Sequence, residues 1–213
     1  MPPRLKADTG LDALTHAVEG YTSTWHNDFS DGLCLKAIQM VFTYLPRVFA
    51  DGDDTQAREK MHNAATLAGL GFINSLAAAA HAMGHSLGAV FHVPHGRAVS
   101  LLLPYTIQFN TRGKQATRYA DIARFVGLPG TDEREGAANL VSAIRDLERR
   151  VEQPLSIREA LPDLTHEAFA AQLDRLVDYA EMDATIIASA RNLSTDDTRR
   201  LFEYAYEGKD VDF

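Results

Sequence analysis

Five of the eight histidines, His62, His81, His85, His92 and His95, fall within residues 61–96, a stretch with no Asp, Glu, Lys or Arg. A buried imidazole is costly unless it is hydrogen-bonded or coordinating, and a neutral imidazole is the commonest transition-metal ligand. For any one of these histidines, a packing role with a bond to a carbonyl is the commoner outcome. Their clustering points to metal chemistry. Asp12 and His16 stand four apart, so a helix sets both side chains on one face about one turn from each other, a spacing that lets them bind the same ion. His81 and His85 repeat that spacing.

Geometry limits which of these groups can share a centre. One continuous helix through His81 and His95 would hold them about 21 Å apart. Pro94 and Gly96 interrupt helical geometry, and five extended residues reach about 16 Å, enough to return His95 towards His81. Asp12, His16, His81 and His95 can therefore meet. Three neutral nitrogens and one carboxylate suit Fe(II) or Zn(II) better than calcium or magnesium. Glu19, on the same helical face as His16, can be an acceptor behind the ligands, and a solvated ion-pairing role is its plain alternative.

The elements that must position these residues are helical. Asp8 or Thr9 can cap a helix beginning near Leu11, with Leu14, Val18 and Tyr21 near one face. Leu33, Ile38, Val41, Phe42 and Leu45 mark a second helix that stops at Pro46 and the turn 51–54. A third runs over 56–70, and an Ala-rich fourth continues it over 71–91 with a kink at 69–71. Further helices are expected over 98–108, 115–126, 135–150, 166–179 and 195–206. No alternating strand pattern and no βαβ repeat is present, which predicts a mostly α, bundle-like fold with residues 1–213 as a single domain.

Composition narrows the functions. The 213 residues carry a formal charge of −8, leaving no basic excess for nucleic acid or an anionic membrane surface. Residues 61–96 are long enough to span a bilayer, but their histidines, asparagines, serines and glycines favour a buried helix over a membrane span. The single cysteine, Cys34, excludes an internal disulfide framework and fits a reducing compartment. Residues 1–10 have no apolar core of a secretory signal, and a cytoplasmic protein is expected.

Two segments resemble the iron-containing (group III) alcohol dehydrogenases. One runs from Ala7 through Asp12-Ala13-Leu14-Thr15-His16-Ala17-Val18-Glu19 to Tyr21. The other is His81-Ala82-Met83-Gly84-His85-Ser86-Leu87-Gly88, followed by His92-Val93-Pro94-His95-Gly96. The resemblance is clear from Pro2 to Asn110 and weaker beyond. It implies the helical C-terminal domain of that family, with Asp12, His16, His81 and His95 as ligands to Fe2+, or to Zn2+. It further implies His85 unligated beside substrate and nicotinamide, as catalytic and cofactor-contacting residue, and Phe72 lining the substrate pocket. The implied cofactor is NAD or NADP and the implied substrate a small alcohol or aldehyde.

Members of the family carry a dinucleotide-binding domain ahead of this segment, and no Gly-x-Gly-x-x-Gly or comparable loop after a strand occurs in these 213 residues. That domain is expected to be absent from the chain or supplied in trans. Ser189-Ala190-Arg191 stands where members often have Asn-Pro-Arg, and Thr185 where some have cysteine. The expectation is a metal-dependent alcohol dehydrogenase catalytic domain, as a homo-oligomer. A non-catalytic metal-binding remnant or oligomerising interaction protein is the alternative. Metal-dependent hydrolysis has no support, since neither His-Glu-x-x-His nor Gly-x-Ser-x-Gly occurs.

Overall fold

Pro3 occupies the first position of helix α1 (Pro3–Thr22), where its fixed φ suits the helix and its missing N–H costs no bond. The helix thus starts about one and a half turns before the expected cap. Asp8 and Thr9 lie inside it: Thr9 Oγ1 donates back to Leu5 O at 2.8 Å, and the Asp8 carboxylate is buried and accepts from Gln153 Nε2 at 2.8 Å and Arg97 Nε at 3.2 Å. Tertiary partners, not the helix dipole, hold that acid.

The computed structural model describes residues 1–213 as eleven α-helices and one short 3-10 helix, with no strand. Asn27 caps α2 (Asp28–Ala50) through a reciprocal capping box with Ser30, and α2 passes through Pro46 to end at Asp51. Pro46 lies inside the helix, where it forfeits one backbone hydrogen bond without ending it, so the expected stop came early. Asp54 caps α3 (Thr55–Phe72). α1, α2 and α3 pack on one another as a layer. α2 is the one helix long and apolar enough to cross a membrane by length and composition.

The third and fourth helices are both present, but the fourth does not continue the third through a kink at 69–71. α3 ends at Phe72, residues 73–78 form a turn with Leu76 at φ +72°, and α4 covers Ala79–Phe91. Alanine content favours a helix there, but tertiary bonds override it: Ser23 Oγ donates to Ser75 O, and Glu19 of α1 takes the Ala78 and Ala80 N–H groups. α4 ends at His92 in the left-handed region, Pro94 caps α5 (His95–Thr111), and the two helices pack as a hairpin.

The remaining helices are α6 (Tyr119–Phe125), α7 (Glu133–Arg150), α8 (Ile157–Ala160), α9 (His166–Ala170), α10 (Leu173–Glu181) and α11 (Thr195–Glu207), with the 3-10 helix at Ala184–Ala188. The expected helix over 166–179 is two, divided near Ala171 and Gln172. α10 packs on α4, α7 and α11 on α5. One apolar cluster runs from Ala7 to Val211, with Leu11, Leu14 and Val18 of α1 fully buried in it. Each such side chain contributes about 1.5–3 kcal/mol.

Candidate metal centre

α1 presents Asp12, His16 and Glu19 along one stripe, α4 presents His81 and His85, and α5 begins with His95. Two glycines let these helices approach. A Cβ on Gly96 would lie 2.2 Å from Asp8 O and 3.1 Å from Asp12 Cβ, so α5 meets α1 with no room for a methyl group. A Cβ on Gly84 would lie 2.5 Å from Val99 Cγ1, which brings α4 against α5.

Three imidazole nitrogens converge on one oxygen. Asp12 Oδ1 lies 3.3 Å from His95 Nε2, 3.4 Å from His16 Nδ1 and 3.7 Å from His81 Nε2. Neither Asp12 Oδ1 nor His81 Nε2 has a hydrogen-bond partner, although both are buried. Orphaned groups of this kind are expensive, and their mutual facing is what an ion would relieve. Ligands about 2.1 Å from a tetrahedral ion stand about 3.4 Å from each other, close to the separations seen here. The donor atoms of Asp12, His81 and His95 all lie within 4.8 Å of one another. His16 falls outside that tight set, its ring stacked on Phe72 at 4.0 Å and tilted against His81 at 4.1 Å.

Glu19 fixes the tautomer of His81. It accepts from His81 Nδ1 at 2.6 Å, from Ala80 N–H at 2.6 Å and from Ala78 N–H at 2.9 Å. In the neutral ring Glu19 keeps the proton on Nδ1, so an ion that displaces the second proton would meet the Nε2 lone pair facing Asp12. Burial alone would lower the pKa of His81, but the carboxylates of Asp12 and Glu19 push it up to about 9. Burial, and then the charge of His81, push His16 down to about 4. Burial works to raise the Asp12 pKa, yet the surrounding imidazoles hold it well below the usual carboxylate range.

His85 lies at the rim. Its side chain is 41% exposed, against 2% for His81, and its ring stacks on His95 at 5.1 Å. Asp183 Oδ2 accepts from His85 Nδ1 at 2.7 Å. Burial would raise the Asp183 pKa, but the Thr185 N–H and hydroxyl, and then His85, hold it below the ordinary range. Sequence spacing gave no hint of Asp183, which lies 98 residues from its partner. Arg191, in the Ser189-Ala190-Arg191 segment, donates to Phe109 O at 2.9 Å and lies over the Phe109 ring. Two cavities of about 760 and 970 Å³ lie elsewhere, between α5 and α7 and among α1, α2 and α3; His62 lines the second, away from the centre, and none of His16, His81, His85 and His95 lines either.

Comparison with known proteins identifies the family. Residues 6–206 match the pattern described as Fe-containing alcohol dehydrogenase family, C-terminal. The NADPH-dependent butanol dehydrogenase of Clostridium saccharobutylicum is 38% identical over 213 residues, covering 100% of this chain and 54% of that protein. The 1-propanol dehydrogenase PduQ of Citrobacter freundii is 39% identical over 206 residues, covering 95% of this chain and 55% of that protein. An alcohol dehydrogenase from Oenococcus oeni superposes with a TM-score of 0.88 at 34% identity, covering 97% of this chain and 52% of the other. The chain thus spans about half the length of the curated relatives it matches. The whole helical architecture and residues 6–206 place this chain in the iron-containing alcohol dehydrogenase family, matching its C-terminal part.

Proposed function

We propose that residues 1–213 form the metal-binding catalytic domain of an NAD- or NADP-dependent alcohol dehydrogenase acting on a small alcohol or aldehyde. The carrying observation is the convergence of three imidazole nitrogens on Asp12 Oδ1. Asp12, His81 and His95 hold a divalent ion, Fe2+ with Zn2+ as the other candidate, and His16 completes the set. When bound, the ion supplies Lewis acidity towards the alcohol oxygen, and the nicotinamide supplies the hydride acceptor.

The chain's own residues do the rest. Glu19 keeps His81 in the ligating tautomer. Phe72 backs His16 and forms an apolar wall next to the centre, where a substrate's carbon chain would lie. His85, exposed at the rim, takes the alcohol proton and contacts the nicotinamide. The 213 residues hold no strand followed by a Gly-rich loop, so the dinucleotide is gripped mainly by another domain, in the same protein or in trans. A cytoplasmic setting fits the lone thiol of Cys34, which is buried.

The exposed side chains of Trp25, Phe29, Leu70 and Ile73 support a second reading, an oligomerising surface. Asn27 Nδ2 donates to Asn74 O at 2.9 Å, pinning their two segments together. Elemental analysis of the purified chain tests the first reading. One equivalent of iron or zinc is expected, lost in His81→Ala or His95→Ala. Metal content unchanged by both substitutions would sink it. Oxidation of simple alcohols only after addition of a dinucleotide-binding chain would support a split site, and bound metal with no affinity for NAD(H) or NADP(H) under any pairing would favour the non-catalytic reading.

A further inference from the structure

The exposed imidazole at the rim has a dedicated partner. Asp183 uses both carboxylate oxygens: Oδ2 accepts from His85 Nδ1 at 2.7 Å, and Oδ1 accepts from the Thr185 N–H at 2.9 Å and its hydroxyl at 2.7 Å. Asp183 also caps the 3-10 helix, so its backbone position is set by the turn it begins. The turn is tied to the metal centre as well. Thr185 Oγ1 lies 3.2 Å from Ala78 O, and the Ala78 N–H donates to Glu19, which holds His81.

We propose that Asp183 is the positioning residue of His85, fixing the ring with its proton on Nδ1 and leaving Nε2 as the free acceptor for the substrate's hydroxyl proton. The step rests on the dehydrogenase reading above only for the identity of the proton donor. The alcohol O–H bond breaks, an N–H bond forms at His85 Nε2, and the electron pair stays on the alcohol oxygen. Asp183 remains ionised and stabilises the imidazolium. Stacking on His95, with the two rings only 22° from parallel, fixes the remaining degree of freedom of the His85 ring.

This assignment predicts a spectroscopic signature separate from turnover. In nitrogen-15 histidine spectra of the zinc-loaded 213-residue chain near neutral pH, His85 should carry its proton on Nδ1 over Nε2 by about tenfold or more, the weight of a hydrogen bond to a charged acceptor. Asp183→Asn, nearly unchanged in shape, should lower that ratio about tenfold while zinc content and helical circular dichroism stay at wild-type values. Asp183→Glu, which keeps the charge, should restore most of it. A mixed tautomer in the wild type, no change in Asp183→Asn, or equal loss in the Asn and Glu variants would each overturn the proposal. Failure of the wild-type chain to retain zinc would count against the metal-centre reading instead, and the same spectra without zinc would still decide the role of Asp183.

Discussion

Glu19 takes three donors at once, two backbone N–H groups from the start of α4 and the Nδ1 of a histidine. An isosteric amide cannot. In Glu19→Gln the NH2 group would have to face a donor, leaving at least one N–H of Ala78 or Ala80 without a partner, at about 1–3 kcal/mol. The same change frees His81 to shift tautomer, and supporting groups of this kind are worth roughly 10–100-fold in metal affinity. Competition with a chelator should therefore show zinc held roughly 10–100-fold more weakly in Glu19→Gln, with a lowered thermal midpoint. Wild-type affinity in that variant would remove Glu19 from the centre. Its place on the His16 face was readable from the helical repeat, whereas its capture of the α4 N–H groups was not. That second job depends on a contact 59 residues away.

At the scale of elements, the closeness of α1 and α5 depends on Gly96. Alanine there would drive a methyl group into the carbonyl of Asp8, an atom of helical backbone that cannot swing aside. The helices must separate, and His95, one residue earlier, moves with α5 away from Asp12. Gly96→Ala should cost about 1–3 kcal/mol and most of the bound metal. Gly69→Ala provides the contrast: nothing lies within 4 Å of a Cβ at that helical position, so stability should rise by about 0.5–1 kcal/mol with metal content unchanged. Chemical denaturation and metal analysis of both variants check the pair; a Gly96→Ala chain as stable and as metal-rich as wild type would contradict it. Periodicity located most helices because their apolar stripes face a common core. It failed at ends decided elsewhere in the molecule: at Pro3, which opens a helix expected to begin near Leu11, and at residues 73–78, where long-range bonds break an Ala-rich run. Pro94 was legible as a fold-back because its backbone restriction is local, whereas Gly96, expected to interrupt the helix, lies inside the first turn of α5 and serves the close approach to α1.

For the molecule as a whole, Glu148 near the end of α7 makes stability depend on pH. Its carboxyl is buried and Oε1 has no partner. Burial raises its pKa well above the ordinary value, against the pull of Arg145 and Arg149. An unfolded Glu titrates near about 4.3, so above that pH the folded chain retains a proton that the unfolded chain releases. The contribution to stability is fullest below the unfolded value and declines as pH rises towards the folded one, by at most about 1.4 kcal/mol per pH unit. Glu148→Gln should gain on the wild type as pH is raised above the unfolded value towards the folded one, read from paired thermal melts. A gap between the two curves that stays constant with pH would show that the group does not titrate in this way. The cap on α4 supplied from α1 also bears on biosynthesis. During translation the Glu19 carboxylate leaves the ribosome well before the amides of Ala78 and Ala80, so the later segment finds its acceptor already made and can nucleate against it on emergence.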